Sequence, residues 1–366
     1  MKSNILFIIH MPPPVHGASM MGKYIHDSKI INKEFNCHYF NLTLARSLND
    51  IGKGGIRKLF DFIKQLVYIK KEIKGFKPDL CYVTPNSKGG AFYKEFCIII
   101  MLKLMKQNIV VHYHNKGVAK HQDNPIDNLL YNFFFKNLRV ILLANNLYND
   151  VKKYVSPKNV FICPNGIPEV RQDDNDTQEW INSTPHILFL SNLLVDKGVF
   201  TLLDACALLR EQEIPFICDF VGGESKDINA SIFQTEVQKR GLKNQVFYHG
   251  KRFEEEKEPF FKKANIFVLP TYDECFPLVL LEAMQHHIAC IASNEGGIPD
   301  IIDNGKTGFI VEKHNATQLA DKIAWLIGHP KQSKEMGENG YRKYQKEFTL
   351  SVFENRMKEI LLECTQ

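Results

Sequence analysis

The segment "DECFPLVLLEAMQHH", residues 273–287, sets two acidic residues around an apolar stretch. Glu274 and Glu282 stand eight positions apart, and six of the seven residues between them are apolar while the seventh is Pro277. Proline is favoured at the first helical position because its missing N–H is not needed there, so a helix is predicted over 277–286. Glu274 then lies in the preceding loop. Glu282 lies inside the helix, and its side chain can lean back toward the N-terminus.

The loop before this helix follows "NIFVLPT", residues 265–271, which is typical of a buried strand. Ligands of α/β proteins bind beyond the carboxyl ends of the strands. The open N–H groups and the positive dipole end of a helix favour phosphate at such a place. Carboxylates instead suit sugar hydroxyls, which donate hydrogen bonds to them. The segment therefore predicts a site for a ligand with phosphates between two hydroxyl-bearing ends, which describes a nucleotide sugar.

The rest of the chain alternates short apolar runs with segments of helical periodicity, and this alternation indicates a mostly parallel sheet covered on both faces. Strands are predicted over 4–10, 78–84, 108–115, 140–146, 187–193, 216–223, 246–250, 265–271, 288–294 and 307–311. Helices are predicted over 20–32, 56–77, 92–106, 198–212, 254–264, 277–286, 316–329 and the C-terminal segment. A Pro-, Asn- and Asp-rich break at 164–186 separates two such series. Two successive Rossmann-like domains are therefore expected, over residues 1–165 and 166–349.

Charge is distributed unevenly between the two halves. The net charge is +5, but residues 1–170 carry 24 Lys and Arg against 11 Asp and Glu, which leaves residues 171–366 acidic. A basic surface suits a phosphate-rich ligand or an anionic membrane. The helix at 56–77 has seven basic residues, for which a solvated face and membrane attachment both remain open. No nucleic-acid motif is present, so nucleic acid is not expected as a partner.

Several other classes of protein are not expected. The nine cysteines are scattered without metal-binding spacing, which favours buried thiols in a reducing compartment. No signal peptide is expected, because the opening segment lacks a cleavage site. No uncharged apolar run approaches the roughly 18 residues of a transmembrane helix. The first strand–helix loop lacks the GxGxxG pattern, which disfavours a dinucleotide-dependent dehydrogenase.

An ordered set of motifs resembles the retaining glycosyltransferases of the GT-B superfamily, family 4 (glycosyl transferases group 1). The family carries an acid–seven–acid motif followed by Glu-Ala-Met, and this chain has Glu274 and then Glu282, Ala283 and Met284. The further matching segments, in the family's order along nearly the whole chain, are "PPPVHGAS" at 12–19, "VHYHN" at 111–115, "PNGIP" at 164–168, "VDKGVFTLL" at 195–203 and "GGIPDIIDNGKTGFIV" at 296–311.

The resemblance implies an α/β GT-B fold in which two Rossmann-like domains face each other across a cleft. It implies that the C-terminal helix, residues 350–366, crosses back to an N-terminal acceptor domain, while 166–349 bind the donor. Lys197 would neutralise the donor diphosphate and Glu282 would accept from the ribose hydroxyls. The residues that the resemblance assigns to the diphosphate loop and to the sugar-phosphate contacts are Gly17, Ala18, Glu274, Cys275, Phe276, Pro277 and Leu278.

The resemblance also implies how the reaction proceeds. His114 would face the sugar near the reacting carbon, so that His114, Lys197 and Glu274 form the catalytic set, with His112 left in the core. No metal and no cofactor are implied, and a UDP-sugar is the favoured donor substrate. The implied setting is a hexosyltransferase of bacterial cell-surface polysaccharide assembly. It would act in the cytoplasm on a glycan or lipid-linked acceptor, and its basic first domain would allow contact with the inner face of the membrane.

The chain departs from the family at Asn192, where an arginine is usual, and Cys275, His287 and Ala289 also differ from the common pattern. Another cation would have to replace that arginine, or Lys197 would carry more of the charge. A nucleotide-sugar epimerase of the same fold and a glycosidase using Glu274 and Glu282 as its acid pair remain alternatives. The "DND" segment at 174–176 could bind a metal, although its position in a linker favours a solvated loop, and the pair His286–His287 is expected to be structural.

Overall fold

A computed structural model describes residues 2–42, 56–170 and 184–366. The chain divides into two compact units, Met1–Gly166 together with Leu350–Gln366, and Ile167–Thr349. The boundary predicted from the sequence, between residues 165 and 166, lies one residue before this division. Each unit is built on a six-stranded sheet, so the expected two-domain α/β architecture is confirmed.

The first unit has a wholly parallel sheet in the strand order β2-β1-β3-β4-β5-β6. Its strands are β1 (Asn4–Ile9), β2 (Asn36–Asn41), β3 (Leu80–Val83), β4 (Ile109–His112), β5 (Arg139–Leu142) and β6 (Val160–Ile162). Its helices are α1 (Gly17–Asp27), α2 (Lys29–Glu34), α3 (Ile56–Phe76), α4 (Gly89–Leu104), α5 (Val118–His121), α6 (Pro125–Phe135), α7 (Tyr148–Val151) and α15 (Leu350–Thr365). Apart from Asn4 and Arg139 at their starts, the central strands are buried, because helices cover both faces of a parallel sheet.

Side chains of the edge strand β2 show which helices lie on which face of this sheet. Tyr39 points to the side of α1 and α2, where its hydroxyl donates to Ile25 O at 3.3 Å. The neighbouring residues His38 and Phe40 point the other way and contact the rings of α3. Successive strand residues alternate between faces, so α1 and α2 lie on one face and α3 on the other.

The second unit has a parallel sheet in the order β12-β11-β10-β7-β8-β9. Its strands are β7 (His186–Leu190), β8 (Ile217–Val221), β9 (Val246–Tyr248), β10 (Ile266–Leu269), β11 (Ala289–Ser293) and β12 (Gly308–Val311). Its helices are α8 (Val199–Glu211), α9 (Ala230–Lys239), α10 (Glu258–Lys263), α11 (Leu278–Gln285), α12 (Ile298–Ile301), α13 (Ala316–Gly328) and α14 (Pro330–Glu347). The chain leaves β7 in one direction and later returns to β10 on its other side, so the strand order reverses between these two neighbours.

The C-terminal helix α15 belongs to the first unit and packs against α2. Phe353, Met357 and Leu361 are fully buried there. The carbonyl of Cys364 accepts hydrogen bonds from Asn108 Nδ2 and Arg139 Nη1, each at 2.7 Å. These contacts tie the end of the chain to the starts of β4 and β5.

The structure departs locally from the predicted elements. The edge strands β2 and β6 and the helices α6 and α9 were not predicted. The helix predicted over 20–32 is interrupted at Ser28, whose hydroxyl caps α2 by accepting from Ile31 N at 3.2 Å. Pro277 is the N-cap of α11, not its first helical residue, because its backbone is extended. No helix in the described part of the chain is both long and apolar enough to cross a membrane.

Candidate functional site

Lys197 and Glu274 meet at the point where the strand order of the second unit reverses. Lys197 follows β7 and Glu274 follows β10, and the Lys197 ammonium donates to Glu274 Oε2 in a close ion pair. The two side chains are 20% and 19% exposed. Ligands of open α/β sheets bind at this type of switch point, beyond the carboxyl ends of the strands. The structure thus brings together two of the predicted catalytic residues, 77 positions apart in the sequence.

The loop carrying Lys197 is fixed against the loop carrying Glu274. The carbonyl of Asp196 accepts from Thr271 Oγ1 at 3.0 Å and from Tyr272 N at 2.7 Å. Gly198 has a φ of +77°, and a Cβ at this position would lie 2.0 Å from Pro270 O. Only glycine allows that backbone approach, so the ammonium and the carboxylate are held on braced loops.

A second glycine loop braces Glu274 from the other side. Gly296 has a φ of +54°, and a Cβ there would lie 2.2 Å from Glu274 O. The adjacent Gly297 N donates to Cys275 O at 2.7 Å. Glu274 Oε1 accepts from Cys275 N at 3.1 Å, so its carboxylate is held from both oxygens.

The start of helix α11 offers backbone donors next to this ion pair. The N–H groups of Leu278 and Val279 lie in the first turn, where a helix has no internal acceptors. No acceptor for either of them is found in the described part of the chain. The side chains of Cys275 and Phe276 are 8% and 5% exposed, so these residues can reach a ligand only through their backbone. The predicted backbone role of this segment is compatible with that burial.

Glu282 has a partner that sequence reasoning missed. Lys257 donates to both carboxylate oxygens of Glu282, at 2.7 and 2.8 Å, and both side chains are about one fifth exposed. Lys257 stands in "EEEKEP", where it looks like one charge in a solvated run. A lone cation among four acids is the signal that could have singled it out. The two acids of the opening motif are therefore each paired with a different lysine.

Asn192 has a structural role at the same edge of the sheet. Its Oδ1 accepts from Gly223 N at 3.0 Å, and Leu193 N donates to Gly223 O at 2.7 Å, which ties the loops after β7 and β8 together. A lysine side chain passes close to the same loop. The Lys251 side chain passes 3.5 Å from where a Cβ of Gly223 would be, and its ammonium lies 4.4 Å from the ring centre of Phe253.

The candidate residues of the first strand–helix loop lie at the switch point of the first unit, between β1 and β3. Gly17 and Ala18 are the first two residues of α1, and neither N–H has an acceptor in the described part of the chain. His16 caps this helix by accepting from Ser19 N at 3.3 Å. These open donors are of the kind that binds phosphate, as predicted for the first loop.

His114 follows β4, its two ring nitrogens are buried, and the Asn165 side chain lies within reach of the ring. Burial, with His10 and His16 nearby, lowers its pKa from 6.5 to about 3. The ring is therefore neutral at physiological pH, and a neutral imidazole can both donate and accept a hydrogen bond. His112, by contrast, is fully buried, and its Nδ1 lies 2.6 Å from the Tyr82 hydroxyl, which confirms it as a core residue.

The depressed histidine pKa values predict that acid destabilises the first unit. Below pH 6.5, His112 and His114 become protonated in the unfolded chain but stay neutral in the folded protein. Unfolding therefore becomes more favourable as the pH falls toward 3. Each such histidine contributes up to about 1.4 kcal/mol per pH unit. Thermal unfolding followed against pH should show a shallower decline in His114→Asn than in the natural protein. Equal slopes in the two proteins would contradict the assignment.

Other predicted groups fall outside this site. His286 Nε2 lies 3.5 Å from Glu258, and His287 Nδ1 lies 3.0 Å from Glu338, so the His286–His287 pair is structural as expected. Asp174 and Asp176 lie outside the described residues, and their metal-binding alternative stays a hypothesis.

Comparison with known proteins gives a family match in the second unit. Residues 170–343 match the family described as Glycosyl transferases group 1. A D-inositol 3-phosphate glycosyltransferase of Arthrobacter sp. (strain FB24) is 31% identical over 156 residues, which cover 42% of this chain and 36% of that protein. The capsular polysaccharide biosynthesis glycosyltransferase CapM of Staphylococcus aureus is 36% identical over 93 residues, which cover 25% of this chain and 24% of CapM. The chain thus spans less than half the length of these curated relatives.

A solved structure extends the likeness of fold to the whole chain. HepE of Anabaena, solved in complex with UDP, superposes with a TM-score of 0.76 at 15% sequence identity and covers 99% of this chain and 100% of HepE. At this identity the likeness concerns the fold. The two Rossmann-like units therefore form a GT-B fold.

Proposed function

Because its second unit belongs to the glycosyl transferases group 1, we propose that this protein is a retaining glycosyltransferase that moves a sugar from a nucleotide diphosphate sugar to an acceptor hydroxyl. The observation that carries the proposal is the Lys197–Glu274 ion pair at the strand-order reversal, beside the open N–H groups of α11. A diphosphate needs cationic and backbone donors, and a sugar needs carboxylate acceptors. This edge of the sheet offers both.

In the proposed reaction the bond between the anomeric carbon and the phosphate oxygen breaks, and the acceptor oxygen forms the new bond on the same face. The departing phosphate oxygen takes the acceptor's proton. Lys197 would stabilise the charge that grows on the diphosphate, and the Leu278 and Val279 N–H groups would add fixed dipoles. Glu274 would accept from sugar hydroxyls and hold the sugar in position. His114 would hydrogen bond as a neutral ring near the reacting carbon.

Glu282 is proposed to accept from the ribose hydroxyls, with Lys257 holding its carboxylate. Glu282→Ala should then weaken UDP binding by about 10- to 100-fold, the range for losing a hydrogen bond to a charged group. Isothermal titration with UDP measures the effect. Glu338→Ala, which removes an acid paired with His287 elsewhere in the unit, is the control and should bind UDP normally. UDP affinity unchanged by Glu282→Ala would remove the ribose assignment.

We also propose a role in bacterial cell-surface polysaccharide assembly, on a glycan or lipid-linked acceptor at the inner face of the cytoplasmic membrane. The similarity to a capsular polysaccharide glycosyltransferase supports the pathway class. The excess of basic residues in the first 170 positions supports work beside an anionic lipid surface.

The experiment that tests the proposed activity is a thermal-shift panel of UDP-, GDP- and ADP-sugars, followed by assay of the stabilising donor with and without candidate acceptors. A UDP-sugar is expected to give the largest stabilisation, and release of UDP is expected to require an acceptor. Conversion of the donor to its epimer without acceptor would establish an epimerase instead. No stabilisation by any nucleotide sugar, with hydrolysis of a glycoside, would establish a glycosidase.

The proposed chemistry does not call for a metal, because Lys197 and the helix N-terminus supply the positive charge. Treatment with EDTA should therefore leave the transfer rate within the error of the untreated enzyme. Strict dependence on an added divalent cation would contradict this expectation. It would favour the alternative in which Asp174 and Asp176 bind a metal.

A further inference from the structure

Large apolar side chains stand exposed on three helices of the first unit. Leu104 at the end of α4 is 79% exposed, and Phe60 and Val67 of α3 are 61% and 65% exposed. On α6 the exposed fractions are 67% for Ile126, 56% for Leu129 and 54% for Phe133. Ile126, Leu129 and Phe133 are spaced three and four apart, so they form one stripe along the helix. Exposed apolar clusters of this kind mark an interaction surface.

All three helices lie on the same face of the sheet. The connections β2→β3, β3→β4 and β4→β5 all step in the same direction across the strand order, and right-handed crossovers place such helices on one side. The contacts of His38 and Phe40 with α3, opposite to Tyr39, place that helix on this side directly. Helices α4 and α6 pack side by side, joined by Tyr93 Oη to Asp127 Oδ1 at 2.7 Å. We call the exposed apolar side chains of α3, α4 and α6 on this side the apolar face.

Among the exposed charges around the apolar face, lysines outnumber the acids, which are Asp61 of α3 and Asp123 just before α6. The two acids of α4 and α6, Glu95 and Asp127, are each 5% exposed and turned inward. The exposed charged residues on α4 and α6, and just after these two helices, are Lys94, Lys106 and Lys136. On α3 the exposed Lys71 and Lys74 continue the stripe that Phe60 and Val67 begin. Apolar side chains surrounded by lysines are typical of helices that lie in an anionic membrane interface.

Lys103 keeps the apolar ends of α4 and α6 together. Its ammonium donates to the carbonyls of Phe133, Phe134 and Lys136, each at 2.7 Å. These are the last carbonyls of α6, which have no partner inside the helix. The lysine holds the end of α6 against α4, so Leu104 and Phe133 are presented from a fixed platform.

We propose that the apolar face binds a lipid bilayer whose headgroups are anionic, with its apolar side chains in the interface and its lysines at the phosphates. The inference deepens the proposed function, since it names the surface through which the first unit would meet the membrane. A second copy of this chain is the less suitable occupant. A two-fold interface would bring the lysines of one copy toward those of the other, which is unfavourable.

The test is co-sedimentation of the full chain with vesicles of phosphatidylcholine, alone or mixed with phosphatidylglycerol. The natural protein should bind the mixed vesicles more tightly, and added salt should weaken that binding. The double variant Leu104→Glu/Phe133→Glu should bind the mixed vesicles about tenfold or more weakly, because it places two anions at the lipid surface. The matched control is Ile232→Glu/Phe247→Glu, at residues 39% and 41% exposed in the second unit. It should bind the vesicles as the natural protein does.

Three results would overturn the proposal. The first is equal binding by the two double variants, and the second is no preference for phosphatidylglycerol. The third is a change of oligomeric state, in which the natural protein is dimeric by light scattering and Leu104→Glu/Phe133→Glu is monomeric but still binds vesicles. That result would assign the apolar face to a second copy of the chain. UDP titration of both variants separates this proposal from the enzymatic one. Normal UDP affinity with lost vesicle binding supports the membrane surface whether or not the transfer reaction is as proposed.

Discussion

Replacing Lys197 with alanine is expected to lower turnover by roughly 100-fold or more, which is the scale of losing one charge-stabilising donor in a site sheltered from water. The effect should fall on the chemical step, because in the proposed reaction the charge on the diphosphate grows as the sugar leaves. The braces around the loop, from Asp196 O to Thr271 and Tyr272, do not involve the lysine side chain and should survive. The measurement is kcat for transfer, with the melting temperature recorded in parallel.

Lys343→Ala provides the matched control for Lys197→Ala. Lys343 also forms a lysine–carboxylate pair in the second unit, with Asp303 Oδ1 at 2.7 Å, and is 11% exposed. It should change stability without changing kcat. A loss of tenfold or less in Lys197→Ala would show that another cation carries the diphosphate charge, and Lys251 beside Asn192 would be the first to examine.

Deleting residues 350–366 is expected to unfold the first unit, abolish transfer and leave the second unit folded. The deletion removes Phe353, Met357, Ile360 and Leu361 from the core of the first unit. At about 1.5–3 kcal/mol for each buried side chain, the loss is roughly 6–12 kcal/mol. This is similar to the whole stability of a typical domain, about 5–15 kcal/mol. Limited proteolysis with fragment mapping should show cleavage throughout the first unit and a protected fragment covering the second.

Single substitutions in α15 give a graded version of the deletion. Leu361→Ala should cost about 2–5 kcal/mol of unfolding free energy, as for other large-to-small core changes. Glu359→Ala, at an exposed position of the same helix, should be close to neutral. Normal turnover by the truncated chain would contradict the role given to this helix.

The central strands of both sheets were predictable from the sequence, whereas the edge strands β2 and β6 of the first unit were not. Residues 5–9 of β1 form an unbroken apolar run, because both faces of the strand are covered. The edge strand β2, "NCHYFN", mixes polar and aromatic residues without an apolar run, and none of its residues is fully buried. The three-residue strand β6 is likewise only half-buried. A search for apolar runs detects buried strands, and β2 and β6 have no buried residues.

The candidate site divides in a similar way. Glu274 and Glu282 could be predicted because both lie in one short segment, in which Pro277 indicates where the helix begins. Lys257 was not visible, because its pairing with Glu282 depends on how a turn after β9 folds back onto α11. Nor could the sequence show that the Asn192 amide is occupied by Gly223 N–H. Contacts between distant loops come from strand order, which local patterns do not contain.

The two glycines that brace the ion pair limit how this protein could be altered by laboratory evolution. Positions 198 and 296 combine a positive φ with a backbone carbonyl 2.0 to 2.2 Å from where a Cβ would stand. Every other amino acid has that Cβ, so all variants at either position must displace a loop that carries Lys197 or Glu274. A combinatorial library aimed at a new donor sugar should keep both codons fixed. The library should vary exposed residues at the same edge of the sheet, such as Lys251 and Arg252, because substitutions there do not displace the loops of Lys197 and Glu274.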